Sequence, residues 1–106
     1  MKPSVRAVLD DVRRRLTSFY GDRLVRVILY GSEARGEAKP GSDIDLLVLL
    51  RGPFDRFDEL RTIVDLLYPL QLASDRLISA RPVSVEDYEH GTIQLYRNAR
   101  ADGIAV

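Results

Sequence analysis

Five consecutive aliphatic residues, Leu46 to Leu50, follow directly after the acidic pair Asp43 and Asp45. A short apolar run of this kind is typical of a β-strand whose two faces are both buried. We therefore predict a strand from Asp43 to Leu50, with structure packed on each side. Residues i and i+2 of a strand point to the same face, roughly 6.5–7 Å apart. The two carboxylates then share one edge while Ile44 points into the core.

Two carboxylates side by side on a strand are costly unless a cation or hydrogen bonds compensate their charge. A metal site is the simplest arrangement that makes the pair favourable, and Mg²⁺ takes one or two carboxylates while keeping sites for phosphate oxygens and water. The alternative is that Asp43 caps or ends the strand and Asp45 forms a surface ion pair. The apolar residues on both sides of the pair disfavour that exposure, so we expect a functional role.

An earlier strand, Leu24 to Tyr30, leads into Gly31-Ser32. Glycine lets an anion approach the backbone closely, and Ser32 supplies a hydroxyl and an N–H. We predict that Ser32 caps a short helix over 33–37, whose N-terminus suits phosphate. Alone, Gly-Ser is more often an ordinary turn. A phosphate cradle beside a two-carboxylate metal site, however, would serve nucleotidyl transfer with pyrophosphate as the leaving group.

Helical periodicity predicts two long helices with one buried stripe each. The first covers 4–20 and ends at Gly21-Asp22; its stripe is Val5, Val8, Leu9, Val12, Leu16 and Phe19. The second is capped by Asp55 and runs to Leu72 with a break or kink near Pro69; its stripe is Leu60, Val64, Leu67 and Leu70 or Gln71.

Shorter elements follow the second helix. We predict a strand from Arg76 to Val83, a helix that starts at Ser84 with Asp87 as a capping-box acid, and a last helix from Thr92 to Ala101. The final residues, 103–106, read as a tail or an edge strand.

Composition restricts the classes of protein. With 106 residues the chain is expected to form one domain, 1–106, and 45% hydrophobic with 30% charged residues is ordinary for a globular protein. The absence of cysteine excludes disulfides, zinc–thiolate sites and thiol catalysis. No apolar run is of membrane-spanning length and no signal peptide is apparent, so we expect a cytoplasmic protein. Sixteen basic and sixteen acidic residues give no net charge that would indicate nucleic-acid binding.

A family resemblance rests on Gly31-Ser32, ten intervening residues, and Asp43-Ile44-Asp45. This pattern resembles the signature of the nucleotidyltransferase superfamily. The fuller string from Gly31 to Gly36, with Arg35 inside it, is similar to the minimal nucleotidyltransferases of prokaryotes, which share the DNA polymerase β-like palm. The resemblance implies an α+β fold: a small mixed β-sheet flanked by helices.

The resemblance also implies site residues. Asp43 and Asp45 would hold Mg²⁺, and ATP or another nucleoside triphosphate would be the substrate. Four residues would contact the nucleotide: Gly31, Ser32, Arg35 and Ser42. For Arg35, an ion pair with Glu33 or Glu37 is an equal alternative to a phosphate contact.

The family usually has a third carboxylate on the strand after the long helix, which completes the metal site and activates the acceptor hydroxyl. Ser79 occupies the position flanked by apolar residues, and Asp75 is the only nearby acid. We take Asp75 as the third catalytic residue, with a turn or strand-cap role as the alternative. His90 could replace the base, although its place near a helix end favours a C-terminal cap.

The resemblance implies Mg²⁺-dependent transfer of a nucleoside monophosphate, AMP from ATP in the first instance, to an acceptor. Minimal members often act on a neighbouring protein such as a HEPN-type toxin, with the transferase as antitoxin. The missing acid leaves an alternative, in which a weak or inactive member neutralises its partner by binding alone. We expect no membrane or nucleic-acid partner, and self-association is left open.

Overall fold

A computed structural model describes residues 3–106 of the chain. The elements in chain order are α1 (Pro3–Tyr20), a 3₁₀ turn (Gly21–Arg23), β1 (Leu24–Tyr30), β2 (Ile44–Leu50), α2 (Arg56–Leu72), β3 (Ile78–Ser84), α3 (Val85–His90), α4 (Gln94–Asp102) and β4 (Ile104–Ala105). In this part of the chain no helix is long and apolar enough to cross a membrane. The expected extent of the domain, 1–106, stays a prediction.

The four strands form one sheet in the order β3-β2-β1-β4. β1 pairs antiparallel with β2 and with β4, whereas β2 and β3 are parallel. A parallel pair needs a crossover between its strands, and α2 supplies it. The predicted α+β fold, a small mixed sheet flanked by helices, is therefore confirmed. The C-terminal segment forms the edge strand β4 rather than a tail.

The Leu46–Leu50 run is buried on both faces of the sheet, as its sequence predicts. Leu46, Val48 and Leu50 pack with α1 and α2 in one cluster. Leu47 and Leu49 pack on the opposite face, in a second cluster that includes side chains of α3 and α4. Burial of one such side chain is worth about 1.5–3 kcal/mol, so this strand anchors both layers.

The buried stripes predicted for α1 and α2 are each wrong at one position. In α1 the buried positions continue from Leu16 to Tyr20, whereas Phe19 is exposed. The phenol of Tyr20 donates a hydrogen bond to Glu59 on α2, so its polar end is satisfied inside the contact between the helices. In α2, Ile63 is buried and Val64 is exposed. Adjacent helical residues differ by about 100° in direction, so a small error in phase exchanges a core position for a surface one.

Two local features differ from the predictions. Residues 33–37 form a hydrogen-bonded turn rather than a helix: the N–H of Arg35 donates to the Gly31 carbonyl and that of Glu37 to the Ser32 carbonyl. Of the break or kink predicted near Pro69, the break is wrong, because α2 continues through Pro69 to the predicted end at Leu72, and the kink stays a prediction. Pro69 lacks the N–H that would donate to the carbonyl four residues earlier, and the helix ends within one turn after it.

Most predicted boundaries agree with the structure. Asp55 caps α2 and Ser84 caps α3, each through a side-chain oxygen that accepts a backbone N–H. β3 begins at Ile78 rather than Arg76, and α4 covers Gln94–Asp102 rather than Thr92 to Ala101.

Candidate active site

The sheet register places Asp45 between Tyr30 of β1 and Ser79 of β3. Asp45 points to the same face as Leu47, two residues along the strand, and therefore toward the side that α3 and α4 partly cover. Asp45 is half-buried, whereas Asp43, just before β2, is exposed. The expectation that flanking apolar residues shield both carboxylates is therefore wrong for Asp43. Asp43 nevertheless lies close enough to raise the pKa of the Asp45 carboxyl.

Gly31 joins the turn after β1 to this acidic pair. Its φ is +78°, a conformation that residues with a Cβ rarely adopt. A Cβ added here would lie 2.6 Å from Oδ2 of Asp45. Only glycine therefore fits against the carboxylate, and the backbone of the turn closely approaches the acid. Ser32 follows in the same turn, where its carbonyl accepts the N–H of Glu37 at 2.8 Å.

The charges around Asp45 are mixed. Burial raises the pKa of the Asp45 carboxyl, the neighbouring Asp43 raises it further, and Arg81 and Arg35 oppose the shift. Burial likewise raises the pKa of Tyr30, which faces Arg81 and Asp45. A carboxylate that is harder to ionise than usual, beside a second carboxylate, is a site that gains from a bound cation.

This shift predicts a pH dependence of folding in the absence of a divalent cation. The raised folded-state pKa means that the native state binds more protons than the unfolded chain, so stability falls as pH rises through the interval between the two pKa values. In thermal melts from about pH 4 to about pH 7, the Asp45→Asn variant should gain stability relative to wild type as pH rises. Added Mg²⁺ at the upper pH should reduce that difference. A difference independent of pH would contradict the prediction.

Arg35 is exposed and forms an ion pair with Glu37 through Nε and Oε1. This is one of the two pairings that the sequence leaves open. The same guanidinium is close enough to Asp45 to lower the pKa of that carboxyl. Arg35 is thus at the rim of the acidic pair, and its charge interacts with Glu37, Asp102 and Asp45.

Ser42 ends the turn that precedes Asp43. Its Oγ accepts the N–H of Lys39 at 2.9 Å, and its own N–H donates to the Lys39 carbonyl at 2.9 Å. Its carbonyl accepts a hydrogen bond from Nε of Arg76 at 2.7 Å, and Nη1 of Arg76 forms an ion pair with Glu33 at 2.7 Å. Sequence reasoning missed Arg76, since a lone arginine at a strand entry carries no local signal of such a contact.

Asp75 does not join the acidic pair. It lies in an exposed bend before β3, next to Arg76, while Ser79 is the residue paired with Asp45. Within residues 3–106 no group of three or more histidine, cysteine or acidic side chains is arranged to hold a metal ion. The catalytic role of Asp75 stays a prediction. His90 lies in the last turn of α3, before Gly91 in the left-handed conformation, where a C-terminal cap is expected.

Comparison with known proteins adds independent findings. The model of the nucleotidyltransferase domain family matches residues 7–91. Two proteins of Methanocaldococcus jannaschii, both provisionally named protein adenylyltransferases, are similar in sequence. One is 35% identical over 80 residues, which cover 74% of this chain and 53% of the relative. The other is 32% identical over 72 residues, covering 68% and 72%. The chain thus spans about half the length of the first relative.

Two solved structures have a similar fold. A provisionally named nucleotidyltransferase from Sulfolobus solfataricus superposes with a TM-score of 0.60 at 18% identity, covering 95% of this chain and 74% of the other. A chain from a mutant of the toxin–antitoxin MntA–HpeT superposes with a TM-score of 0.60 at 20% identity, covering 92% and 70%. At these identities the likeness concerns the fold alone.

Proposed function

We propose that this chain, which belongs to the nucleotidyltransferase domain family, transfers AMP from ATP to a side chain of a partner protein. The observation that carries the proposal is the approach of the Asp45 carboxylate to the left-handed Gly31, with Asp43 beside it. This arrangement combines a close-approach backbone turn with two hard oxygen ligands. The names of the two Methanocaldococcus relatives support AMP as the group transferred and a protein as the acceptor.

In this proposal Asp43 and Asp45 hold Mg²⁺. Carboxylate oxygens are the ligands that this ion prefers. Burial and the neighbouring Asp43 raise the pKa of Asp45, so a bound cation would stabilise its ionised form. Bound there, the ion would neutralise phosphate charge and make the α-phosphorus more electrophilic.

The residues of the turns bind and orient the triphosphate. Gly31 would bring the backbone of the turn next to the Asp45 carboxylate, and Ser32 would offer an N–H and a hydroxyl to the phosphates. Ser42 accepts the N–H of Lys39 and can still donate its hydroxyl proton to a phosphate. Arg35 adds positive charge at the rim. The acceptor oxygen forms a bond to the α-phosphorus, the bond to pyrophosphate breaks, and the acceptor proton passes to solvent.

We further propose that the acceptor is a HEPN-type toxin and that this chain acts as its antitoxin. Support comes from the fold shared with a chain of a toxin–antitoxin structure. A cytoplasmic location stays a prediction from the sequence.

Label transfer tests the enzymatic proposal. The purified protein is incubated with ATP labelled at the α-phosphate, Mg²⁺ and the product of the neighbouring gene. We expect label on the partner protein, and expect it to be lost when the divalent cation is chelated. ATP labelled at the γ-phosphate should leave the partner unlabelled, because pyrophosphate departs. No transfer, with wild type indistinguishable from Asp43→Ala, would overturn the proposal.

Neutralisation by binding alone is the second candidate, and one observation favours it. The residue paired with Asp45 on β3 is Ser79 rather than an acid. If contact suffices, the double variant Asp43→Ala/Asp45→Ala should still suppress the toxicity of the partner in cells. If the double variant folds and binds the partner but no longer neutralises it, contact alone is insufficient and transfer is required.

A further inference from the structure

The guanidinium of Arg76 connects the two halves of the signature. Its Nη1 contacts Oε1 of Glu33 at 2.7 Å, and its Nε donates to the carbonyl of Ser42 at 2.7 Å. Glu33 belongs to the turn that begins at Gly31, and Ser42 directly precedes Asp43. Both charged side chains are largely shielded, with 17% of Arg76 and 9% of Glu33 exposed. One side chain thus reaches both the turn that begins at Gly31 and the residue that precedes the acidic pair.

The backbone of Arg76 is itself anchored at the end of α2. Its carbonyl accepts hydrogen bonds from Nε2 of Gln71 at 3.0 Å and from Oγ of Ser74 at 2.9 Å. Its N–H donates to Oγ of Ser74 at 3.1 Å. The amide of Gln71 also accepts the N–H of Ile78 at 2.7 Å. The guanidinium therefore extends from a fixed point and not from a loose loop.

Asp43 depends on this contact because it lies outside the strand ladder. On its C-terminal side the N–H of Ile44 donates to the Leu77 carbonyl at 2.8 Å. On its N-terminal side, the contact from a distant part of the chain is the hydrogen bond that Nε of Arg76 donates to the Ser42 carbonyl. Without the guanidinium, the backbone at Asp43 would be held to β3 on one side and otherwise only by its own turn.

Stability is a poor explanation for the contact. A shielded ion pair loses much of its Coulombic gain to desolvation. In addition, Nη2 of Arg76 is buried and has no hydrogen-bond partner within residues 3–106. A buried donor left unsatisfied is unfavourable to folding. Apolar side chains in place of both Arg76 and Glu33 would fill the space without these costs.

We propose that Arg76 is a positioning residue, which holds the Gly31–Glu33 turn and Ser42–Asp43 in one fixed relation so that the site is preorganised for metal and triphosphate. This inference rests on the proposed function. Groups that must converge on a reacting phosphorus lose rate steeply when they are displaced by about 1 Å. The role of Arg76 is therefore to act through Asp43 and the turn, and not by contact with the substrate.

The test compares three variants with wild type. Arg76→Met keeps an unbranched apolar stem but removes the guanidinium and with it both contacts. Glu33→Gln/Arg76→Met also removes the buried negative charge that the single variant leaves unpaired. Arg76→Lys keeps a positive charge for Glu33 but cannot reach two acceptors with the same planar geometry. The matched control is Arg23→Met, which breaks the ion pair between Arg23 and Glu59, 2.9 Å long, at the opposite end of β1.

Mn²⁺–ATP affinity, kcat and KM are measured for each protein, with thermal melts alongside. We expect Arg76→Met and the double variant to lose at least tenfold in kcat and to bind Mn²⁺–ATP more weakly. The double variant should recover thermal stability without recovering kcat. Arg76→Lys should be intermediate, and Arg23→Met should match wild type in affinity and kcat.

Hydrogen exchange gives a readout that does not depend on turnover. In Arg76→Lys we expect faster exchange of the Ser42 and Ile44 amides, with protection in α1 unchanged. If a folded Arg76→Lys or double variant had the same hydrogen exchange, Mn²⁺–ATP affinity and kcat as wild type, the inference would be overturned while the proposed function stayed intact. Absence of Mn²⁺–ATP binding by wild type would overturn the proposed function itself, and this inference with it.

Discussion

Replacement of Asp45 by asparagine should reduce nucleotidyl transfer by at least about a hundredfold, the loss typical of removing one group that stabilises charge in a transition state. Asparagine has nearly the same shape, so the turn at Gly31 and the packing of β2 should persist. What disappears is the negative charge that we propose binds Mg²⁺. The effect should appear in the affinity for the metal–ATP complex as well as in kcat, since the cation arrives with the nucleotide.

Controls separate this role from a general loss of charge. Asp43→Asn should have a comparable effect, because both carboxylates are assigned to the same ion. Asp65→Asn removes an exposed acid on the outer surface of α2 and should leave transfer unchanged. Asp75→Asn tests the third acid that the family resemblance implies. A loss equal to that of Asp45→Asn would place Asp75 in the site despite its position in the bend.

The measurement is label transfer at saturating ATP, with folding checked by thermal melts. If Asp45→Asn retained most of the wild-type transfer, the assignment of a metal to this pair would be wrong. If Asp43→Asn left transfer unchanged, the exposed Asp43 would not be a metal ligand, and Asp45 would have to bind the ion together with another residue.

Replacement of Gly31 by alanine should be the most damaging small substitution in the site. Its backbone has a φ of +78°, and the new methyl carbon would lie 2.6 Å from Oδ2 of Asp45. The conformation alone costs about 1–3 kcal/mol. Relief of the overlap would further require the carboxylate or the turn to move, so we expect lower thermal stability together with loss of nucleotide binding.

A matched glycine separates the strain from the overlap. Gly52 has a φ of +81°, and a Cβ added there meets no atom within 4 Å. Gly52→Ala should therefore show the cost of the conformation alone, with transfer unchanged. The difference in melting temperature between Gly31→Ala and Gly52→Ala reports the overlap with Asp45.

A second-site substitution tests the cause of the overlap. In Gly31→Ala/Asp45→Ala the carboxylate is absent, so stability should rise to about the level of Gly52→Ala while transfer stays lost. If the double variant were as unstable as Gly31→Ala, the damage would come from the backbone and not from the approach of the two residues.

The buried strand and the acidic pair could be predicted from local pattern. Continuous aliphatic residues from Leu46 to Leu50 are compatible with a strand covered on both sides, and the Asp-x-Asp spacing predicts both acids on one face. The strand begins at Ile44 rather than Asp43, so only Asp45 lies in the sheet. The turn residues Gly31 and Ser32 were correctly expected at a strand end. The helix expected over 33–37 failed, because positive φ at Gly36 and hydrogen bonds back to Gly31 and Ser32 close a single turn instead.

Features that join distant segments could not be predicted in this way. Register places Ser79 beside Asp45, and that pairing depends on how α2 returns the chain to the sheet. The contact of Arg76 with Glu33 and Ser42 spans 43 and 34 residues, respectively, so no periodicity or motif encodes it. Such contacts are decided by packing of whole elements.

By itself, the sequence determined the strand, the paired carboxylates and the glycine turn, because each follows from the steric and polar preferences of neighbouring residues. Only the tertiary structure decided that Asp45 is shielded and Asp43 exposed, that Asp75 stays in its bend, and that Arg76 bridges the two turns. The physical reason is that burial, register and ion pairing depend on which segments meet in space. The contacts between segments are set by the packing of the sheet against α1 and α2 on one face and against α3 and α4 on the other.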